Sequence, residues 1–385
     1  MAKTFLLKPE DLTQRLRQRY KKQNKQWLIG NTNWPISFPL GVPTESQAYE
    51  YLNDVQQWQN LWMNWDGEGE IQWVERHWSK LGKQKLPEKI VIDTPIQITR
   101  WVGEEQNWIK VTQRYQKLIN AWPSLTTILS KYFKVLQEYD ELDFDRLFAV
   151  LEWLIEHPSS NLYIRQLPIE GIHTKWLINR KSMIAEFIKT ITESDDSNFY
   201  QIAGLRQEPT MIRIRLLDEQ LRDCVSGVGD LSISLDYLKT LILPVEKVYI
   251  VENLQTGLAF NDVPGSIVIM GLGYSVDILQ EVQLLHDCPI YYWGDIDTDG
   301  FAILNRLRNY FPQVQSLLMD ESTFLEHEKL WGSDETPKTS TNLPMLTKAE
   351  KKLYDDLCNN RWMKNLRLEQ EHISWPYALE VLSSL

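Results

Sequence analysis

Three acidic residues in the second half of the chain have the types and spacing of a metal-dependent site. Glu252 directly follows the apolar run VEKVYIV, and Asp295 and Asp297 follow the run CPIYYWG in the segment DIDTDG. Carboxylates gathered together repel one another unless cations lie between them, and all-oxygen ligands favour Mg²⁺ or Mn²⁺. Such ions can activate water and stabilise the leaving oxygen of a phosphodiester. These three residues are therefore the predicted catalytic and metal-binding residues.

The pattern from residue 245 onward predicts a parallel sheet that would bring these carboxylates together. Apolar runs predict strands at VEKVYIV, SIVIM and CPIYYWG, and helical patterns alternate with them at 254–261, 275–286 and 301–310. This alternation is typical of βαβ units with a parallel sheet. Ligands bind outside the carboxyl ends of such strands, so both acidic segments are expected at one edge of the sheet.

Each acidic residue also has a purely structural interpretation. A glutamate after a strand is commonly solvated or placed at the start of a helix. Asp297, Thr298 or Asp299 could cap the helix that is predicted to start near Gly300. The D-x-D spacing alone is a weak signal. The combination of a strand-end Glu with D-x-D-x-x-G in one βαβ unit is what favours a metal site.

Length and composition are those of an ordinary globular protein with several domains. The chain has 385 residues, 43% of them apolar and 24% charged, so two or three domains are expected. No run of about 18 apolar residues predicts a membrane span, and the N-terminus does not look like a secretion signal. Three widely separated cysteines are typical of a reducing compartment, so we expect a cytoplasmic protein.

The net charge of −11 at first disfavours a nucleic-acid partner, but the charge is unevenly distributed. The first 30 residues carry eight Lys and Arg residues against two acidic ones. This stretch could face phosphates, or it could be the solvated face of an amphipathic helix. Because local patches and bound cations can let an acidic protein bind DNA, global charge leaves the question open.

The chain before residue 243 divides into two predicted domains. Residues 1–158 hold most of the 16 tryptophans and helical patterns at 45–65 and 112–156, which predict a mainly helical domain. Within it, IQWVERHW and KIVIDTP predict strands flanking a turn region at 82–87, and residues 157–161 predict a linker. Residues 159–242 predict a small module with a helix at 176–191 and a strand at 211–217. A winged-helix DNA-binding unit and a plain α+β spacer both fit it. A loop rich in Pro, Ser and Thr at 333–344 and two helices are predicted to end the chain.

The C-terminal part of the sequence resembles the Toprim domain of topoisomerases, primases and several nucleases. VYIVEN and YYWGDIDTDGF carry the resemblance, since the Toprim hallmark is a strand-end Glu and a later D-x-D. The Gly271-Leu272-Gly273 turn is also similar to that of topoisomerase VI A-type proteins. Over nearly its whole length the chain resembles the nuclease subunits of Wadjet plasmid-defence systems, the JetD family. The matching stretches include FPLGVPT, HWSKLGKQKLP, YIRQLPIEGIHTKW, IRIRLLD, LLMDES and RLEQEHI.

The resemblance implies an α/β multi-domain fold and a function. The domains would be an N-terminal arm (1–158), a winged-helix-like CAP domain (159–242) and a Toprim domain with a Rossmann-like parallel sheet (243–385). The implied activity is Mg²⁺-dependent hydrolysis of circular double-stranded plasmid DNA, with Mn²⁺ as a possible substitute. The implied partners are a second copy of the chain and an SMC-type motor complex with its kleisin and KITE subunits.

Further residues are predicted with less specific signals. Asp299, Asp320 and Glu371 are possible supporting residues of the site, although a helix-end role explains Asp320 and Glu371 equally well. Glu252 is expected either to bind the metal or to act as general acid and base. The candidates for DNA contact are the basic residues Lys175, Arg213 and Arg215.

Three other functions are compatible with parts of the sequence. A topoisomerase VI-like transesterase needs an attacking tyrosine, but Tyr163 and Tyr200, which lie in the corresponding region, are not in a recognised nucleophile motif. A haloacid dehalogenase-type phosphatase fits DIDTD, but it leaves the upstream unit with Glu252 unexplained. A non-catalytic DNA clamp would not require the intact Glu and D-x-D. We therefore expect metal-dependent hydrolysis of DNA.

Overall fold

The computed structural model describes residues 6–334 and 342–385, which form two compact units. One unit comprises Met1–Gln207 and the other Glu208–Leu385, and each has its own hydrophobic core. The boundary lies inside the predicted middle domain, so residues 159–207 of that segment belong to the first unit and residues 208–242, with both of its strands, belong to the second. The division into three domains at 158/159 and 242/243 stays a prediction.

The N-terminal unit is mainly helical, with one small antiparallel sheet. Its helices are α1 Pro9–Leu28, α2 Glu45–Glu50, α3 Leu52–Met63, α4 Pro95–Val102, α5 Glu105–Ala121, α6 Phe133–Glu138, α7 Glu141–Glu156, α8 Thr174–Ile178, α9 Lys181–Thr192 and α10 Phe199–Ile202. The strands β1 Ile36–Pro39, β2 Glu70–Trp78 and β3 Gly82–Ile92 are arranged in the order β1-β3-β2. Amphipathic α1 buries Leu12, Leu16 and Tyr20 and keeps most of its Lys and Arg side chains exposed.

Two details of this unit differ from the sequence prediction. The turn of the β2–β3 hairpin is at residues 79–81, and the predicted turn region 82–87 is part of β3. Pro87 fits there because it lies beside a register shift of the ladder, where a missing backbone donor is tolerated. The single helix predicted at 176–191 is two helices, α8 and α9, which Asn179 and Arg180 separate.

The C-terminal unit is built on a six-stranded sheet of order β5-β4-β7-β6-β8-β9. The strands are β4 Met211–Leu216, β5 Asp230–Ser234, β6 Lys247–Val251, β7 Ser266–Met270, β8 Ile290–Trp293 and β9 Gln315–Ser316. The helices are α11 Glu219–Asp223, α12 Leu235–Thr240, α13 Leu254–Ala259, α14 Thr298–Tyr310, α15 Glu321–Glu326, α16 Lys348–Cys358 and α17 Trp375–Ser383. Two short strands, β10 Gly332–Ser333 and β11 Leu366–Arg367, pair with each other outside this sheet.

The sheet is mixed, whereas the sequence predicted a parallel one. The strands β7, β6, β8 and β9 run parallel, but β4 runs antiparallel to both β7 and β5. The burial patterns give the physical reason. All five residues of β7 are buried, as expected for a parallel strand covered on both faces. By contrast, β4 alternates between buried and less buried residues, as is typical of an antiparallel strand with one covered face.

The segment after β7, the predicted loop at 333–344 and the prediction of no membrane span remain to be compared with the structure. The segment between β7 and β8, predicted as an α-helix, forms 3₁₀ turns at Gly273–Glu281 and Gln283–Leu285. Most of the predicted Pro-, Ser- and Thr-rich loop, residues 335–341, lies outside the described residues. Among the helices that the structure describes, none is long and apolar enough to cross a membrane.

Candidate metal centre at the sheet edge

The carboxyl ends of β6 and β8 lie side by side near the middle of the sheet, and the predicted site is there. The two strands pair in parallel with Val251 opposite Trp293, so Glu252 and Gly294 leave the sheet together. The chain continues from β6 to β7 on one side and from β8 to β9 on the other. The crevice where two connections diverge in this way is where open parallel sheets bind ligands.

Glu252 lies close to the D-x-D segment. Its Oε2 is 3.5 Å from the backbone nitrogen of Asp295 and 3.4 Å from the hydroxyl of Tyr292. Burial and the nearby charges of Asp295 and Asp297 raise the pKa of Glu252 to about 7. Only glycine fits at position 294, because a Cβ there would lie 2.5 Å from the Tyr292 hydroxyl and 3.0 Å from Glu252 Oε2.

Both aspartates of the D-x-D segment are buried, and a backbone amide holds one oxygen of each. Asp297 Oδ1 accepts a hydrogen bond from the amide of Gly300 at 2.7 Å, which makes Asp297 the N-cap of α14. Asp295 Oδ1 accepts one from the amide of Gln370, also at 2.7 Å. Burial raises the pKa of Asp297 to about 6. The capping role of Asp297 occupies one oxygen and leaves Oδ2 for another partner.

The Oδ2 atoms of both aspartates face Arg367, which the sequence analysis did not single out. The Arg367 guanidinium forms an ion pair with Asp295 Oδ2 through Nη2, and its Nε is 3.3 Å from Asp297 Oδ2. The pKa of Arg367 is raised above its ordinary value: burial opposes the charged form, but the bond to Asp295 and the negative charges of Asp295, Asp297 and Glu369 together outweigh it. Arg367 belongs to β11, whose neighbour Leu368 forms a backbone bridge with Ile296 inside the D-x-D segment.

Two more residues that the sequence analysis missed connect this segment to the strand ends. Gln370 donates through Nε2 to the carbonyl of Trp293 at 2.9 Å, and its Oε1 accepts from the amide of Asn253 at 2.9 Å. Gln370 thus bridges the ends of β6 and β8. Arg367 and Gln370 both lie in the stretch RLEQEHI, which carries the family resemblance, and that stretch was the available signal.

The donor chemistry fits a divalent cation, but the side chains are not arranged around one. Asp295 and Asp297 contact the Arg367 guanidinium, Glu252 lies beside the D-x-D segment, and hard oxygen ligands are those that Mg²⁺ prefers. Nevertheless, residues 6–334 and 342–385 contain no group of three Asp, Glu, His or Cys side chains placed to hold a metal ion. Instead, the Arg367 guanidinium contacts the aspartate oxygens that a cation would take.

The three predicted supporting acids have separate partners. Asp299, in the first turn of α14, accepts a hydrogen bond from the hydroxyl of Tyr274. Asp320 is the N-cap of α15, and its carboxylate accepts from the amide of Thr323 at 2.9 Å. Glu371 is exposed and accepts from the side chain of Asn253, the residue after Glu252. Of the three, Asp299 and Glu371 adjoin the candidate centre, while the bonds of Asp320 lie within its own helix turn.

The three basic residues predicted to contact DNA differ in whether their side chains already bond to other groups of the protein. Lys175 is exposed on α8 of the N-terminal unit. Arg213 forms a two-point ion pair with Asp230 at 3.0 and 2.6 Å. Arg215 donates through Nη1 to two backbone carbonyls at the end of α13, at 2.6 and 2.8 Å. The guanidinium of Arg215 therefore connects strand β4 to the end of α13.

Two protein families match the chain. Residues 204–382 match the family described as Wadjet protein JetD, C-terminal. Residues 9–189 match a family described as an uncharacterized protein conserved in bacteria, N-terminal part. The gap between the two matches lies next to the boundary between the two compact units at Gln207. No curated protein matches the chain.

Proposed function

Because the chain belongs to the JetD family of Wadjet proteins, we propose that it is the metal-dependent DNA endonuclease of that defence system. One observation carries the proposal. The strand-end carboxylate of Glu252 and the D-x-D carboxylates, far apart in sequence, converge at the sheet crevice that binds ligands in open parallel sheets. In the proposed architecture, the parallel half of the sheet is a Toprim domain, and residues 159–242 supply a winged-helix-like element.

The Oδ2 atoms of the two aspartates are the proposed metal ligands. In Asp295 and Asp297, Oδ1 is bonded to a backbone amide, whereas Oδ2 is bonded to no backbone group and faces the Arg367 side chain. The amide bonds fix the direction of each carboxylate, so little side-chain freedom is lost on binding a cation. A bound Mg²⁺ or Mn²⁺ would activate water and stabilise the oxygen that leaves the phosphodiester.

Glu252 is the proposed general base or acid. A pKa of about 7 lets its carboxylate exist in both protonation states near neutral pH. This is the range in which a side chain transfers protons most effectively. Glu252 Oε2 would accept the proton of the attacking water or return one to the leaving oxygen. Gly294 allows the D-x-D loop to pass close to this atom.

Two tyrosines beside the carboxylates are unsuited to the attack that a topoisomerase VI-like reaction needs. Burial and the charge of Glu252 raise the pKa of Tyr292 well above its ordinary value. Burial and the bond to Asp299 raise the pKa of Tyr274. A phenolate nucleophile is therefore unfavourable at neutral pH for either of these two residues.

The proposed substrate and partners follow from the family. The substrate is circular double-stranded plasmid DNA, delivered to a homodimer by an SMC-type motor complex with kleisin and KITE subunits. Of the three predicted DNA contacts, Lys175 is the best placed to meet a phosphate because it is exposed. Arg213 would first have to leave Asp230.

The test is cleavage of supercoiled plasmid by the full chain with its motor complex, in the presence of Mg²⁺, Mn²⁺ or EDTA. Wild type is expected to nick or cut DNA only with a divalent metal. Glu252→Gln should lower the rate by at least about 100-fold, the usual contribution of a general acid or base. The control is Glu380→Gln, the same chemical change at an exposed position of α17.

The other candidate functions predict different outcomes in this assay. Equal cleavage by Glu252→Gln and wild type would contradict the assigned site. Hydrolysis of small phosphate esters without DNA would indicate a phosphatase. Tight DNA binding without cleavage under every metal condition would indicate a clamp.

A further inference from the structure

We propose that Arg367 is the internal counter-ion of the candidate metal centre and that it exchanges with the divalent cation when the centre is loaded. This inference rests on the proposed function, since it concerns the same carboxylates. It assigns Arg367 a positioning role: the guanidinium holds the D-x-D aspartates in a metal-ready orientation and competes with the metal for their oxygens.

Arg367 contacts the one oxygen of each aspartate that no backbone amide holds. The backbone amides of Gln370 and Gly300 hold Oδ1 of Asp295 and of Asp297, each at 2.7 Å. Arg367 contacts the other oxygen of each residue, forming an ion pair with Asp295 Oδ2 and placing Nε 3.3 Å from Asp297 Oδ2. The guanidinium therefore lies between the two oxygens that remain for a ligand.

A guanidinium and a dication compete for these oxygens. Mg²⁺ requires carboxylate oxygens at roughly 2.0–2.1 Å in near-octahedral geometry. A cation at that distance from both Oδ2 atoms would occupy the space of Nε and Nη2, and two positive charges in contact repel strongly where water is scarce. Loading the centre therefore requires the Arg367 side chain to move away.

The surroundings let the side chain move without the backbone. The backbone on either side of Arg367 is held in place. Leu366 pairs with Ser333, and Leu368 and Ile296 exchange two backbone hydrogen bonds of 2.9 and 3.2 Å. The Arg367 side chain itself is 34% exposed, so it has a path to solvent. Glu369, at 3.7 Å from Nη1 and 46% exposed, offers the displaced guanidinium a partner at the rim.

The test measures Mn²⁺ binding by the full-length protein without DNA, using the electron paramagnetic resonance signal of free Mn²⁺. Arg367→Gln removes the competing charge and should tighten binding on the order of tenfold, equal to about 1.4 kcal/mol. Arg367→Lys keeps the charge and should stay close to wild type. Arg361→Gln is the matched control, because Arg361 is exposed and pairs with Asp356 instead. The double variant Asp295→Asn/Asp297→Asn measures any binding elsewhere.

The outcomes separate this inference from the proposed function. If Arg367 only supports the aspartates, Arg367→Gln would weaken or leave unchanged Mn²⁺ binding, and the exchange proposal would be wrong even if wild type cleaves DNA. If neither wild type nor Arg367→Gln binds Mn²⁺, both proposals fail. Thermal unfolding in EDTA checks that each variant is folded. If Arg367→Gln does not fold, Arg367→Lys decides the question. A wild-type affinity of this variant for Mn²⁺ supports competition by charge, and a tighter affinity contradicts it.

Discussion

The C-terminal unit contains two clusters in which arginine meets buried carboxylate, and they are built differently. In the first, Arg308 and Glu350 form a two-point ion pair at 2.5 and 2.9 Å, and both side chains are only 7% exposed. Ser316 and the amide of Thr347 donate to the same carboxylate at 2.6 and 2.8 Å. One charge is matched by one opposite charge, and hydrogen bonds saturate both Glu350 oxygens.

The second cluster, the candidate metal centre, has an excess of negative charge. Among the residues that the structure describes, Arg367 is the one cation that contacts Asp295 and Asp297, and none forms an ion pair with the neighbouring Glu252. The pKa values reflect the difference. Burial opposes ionisation of Glu350, but hydrogen bonds from Arg308 and Ser316 lower its pKa to about 2. Burial and uncompensated like charges raise the pKa of Glu252 to about 7.

This contrast separates a structural ion pair from a functional cluster. A balanced pair leaves no free charge for a ligand. This one connects α14 with α16, and Ser316 connects β9 to the same carboxylate. A cluster with excess negative charge is costly to bury, and this cost is offset when a cation or a proton binds to it. The presence of a buried carboxylate beside an arginine would not by itself distinguish the two sites. The balance of charge and hydrogen bonds does.

The largest expected difference is in stability. Glu350→Gln leaves Arg308 buried without its counter-charge and should lower the free energy of unfolding by about 3–5 kcal/mol. Glu252→Gln removes a repelled charge and should leave metal-free stability unchanged or raise it. Urea unfolding in EDTA, followed by circular dichroism, gives both values. A loss of several kcal/mol in Glu252→Gln as well would remove the distinction between the clusters.

The pH dependence of stability should have opposite sign at the two clusters. The folded pKa of Glu252 is raised from an ordinary 4.5 to about 7, so its stabilising contribution is complete below 4.5 and is lost as pH rises toward 7. The folded pKa of Glu350 is lowered to about 2, so its contribution is complete above 4.5 and is lost as pH falls toward 2.

The measurement is the free energy of unfolding in EDTA at pH 5 and pH 8. Glu252→Gln should lose less stability than wild type over this interval, because it no longer carries the group that is forced to ionise. The difference between variant and wild type isolates Glu252 from other groups that titrate in the same range. Identical losses would mean that Glu252 ionises normally in the fold.

The smallest effect is expected at a third carboxylate, Asp320. Its oxygens accept from Thr323 and Ser322 in the first turn of α15, so Asp320→Ala removes an N-cap worth about 1 kcal/mol. Cleavage per folded molecule should stay near the wild-type rate, measured with the plasmid assay after correction for the folded fraction. A 100-fold loss would instead place Asp320 in the candidate centre.

Local sequence patterns were sufficient for the parts of the fold that depend on neighbouring residues. The apolar runs before Glu252 and Asp295 predict buried strands, and the structure has β6 and β8 there. The segment between them was long enough for a crossover, so the convergence of both acids at one sheet edge followed from strand direction. The alternation in MIRIRLL predicted strand β4, but not the sheet that β4 joins.

Three acidic residues at strand ends are therefore what the sequence by itself determined about the candidate site. Only the tertiary structure decided what balances their charge. Arg367 and Gln370 reach the D-x-D segment from more than 60 residues downstream, through β11 and a backbone bridge. No periodicity encodes such a contact, because it depends on how separate elements pack. Glu350 and Glu252 are alike as residues, and their opposite pKa shifts arise only from the partners that packing places around them.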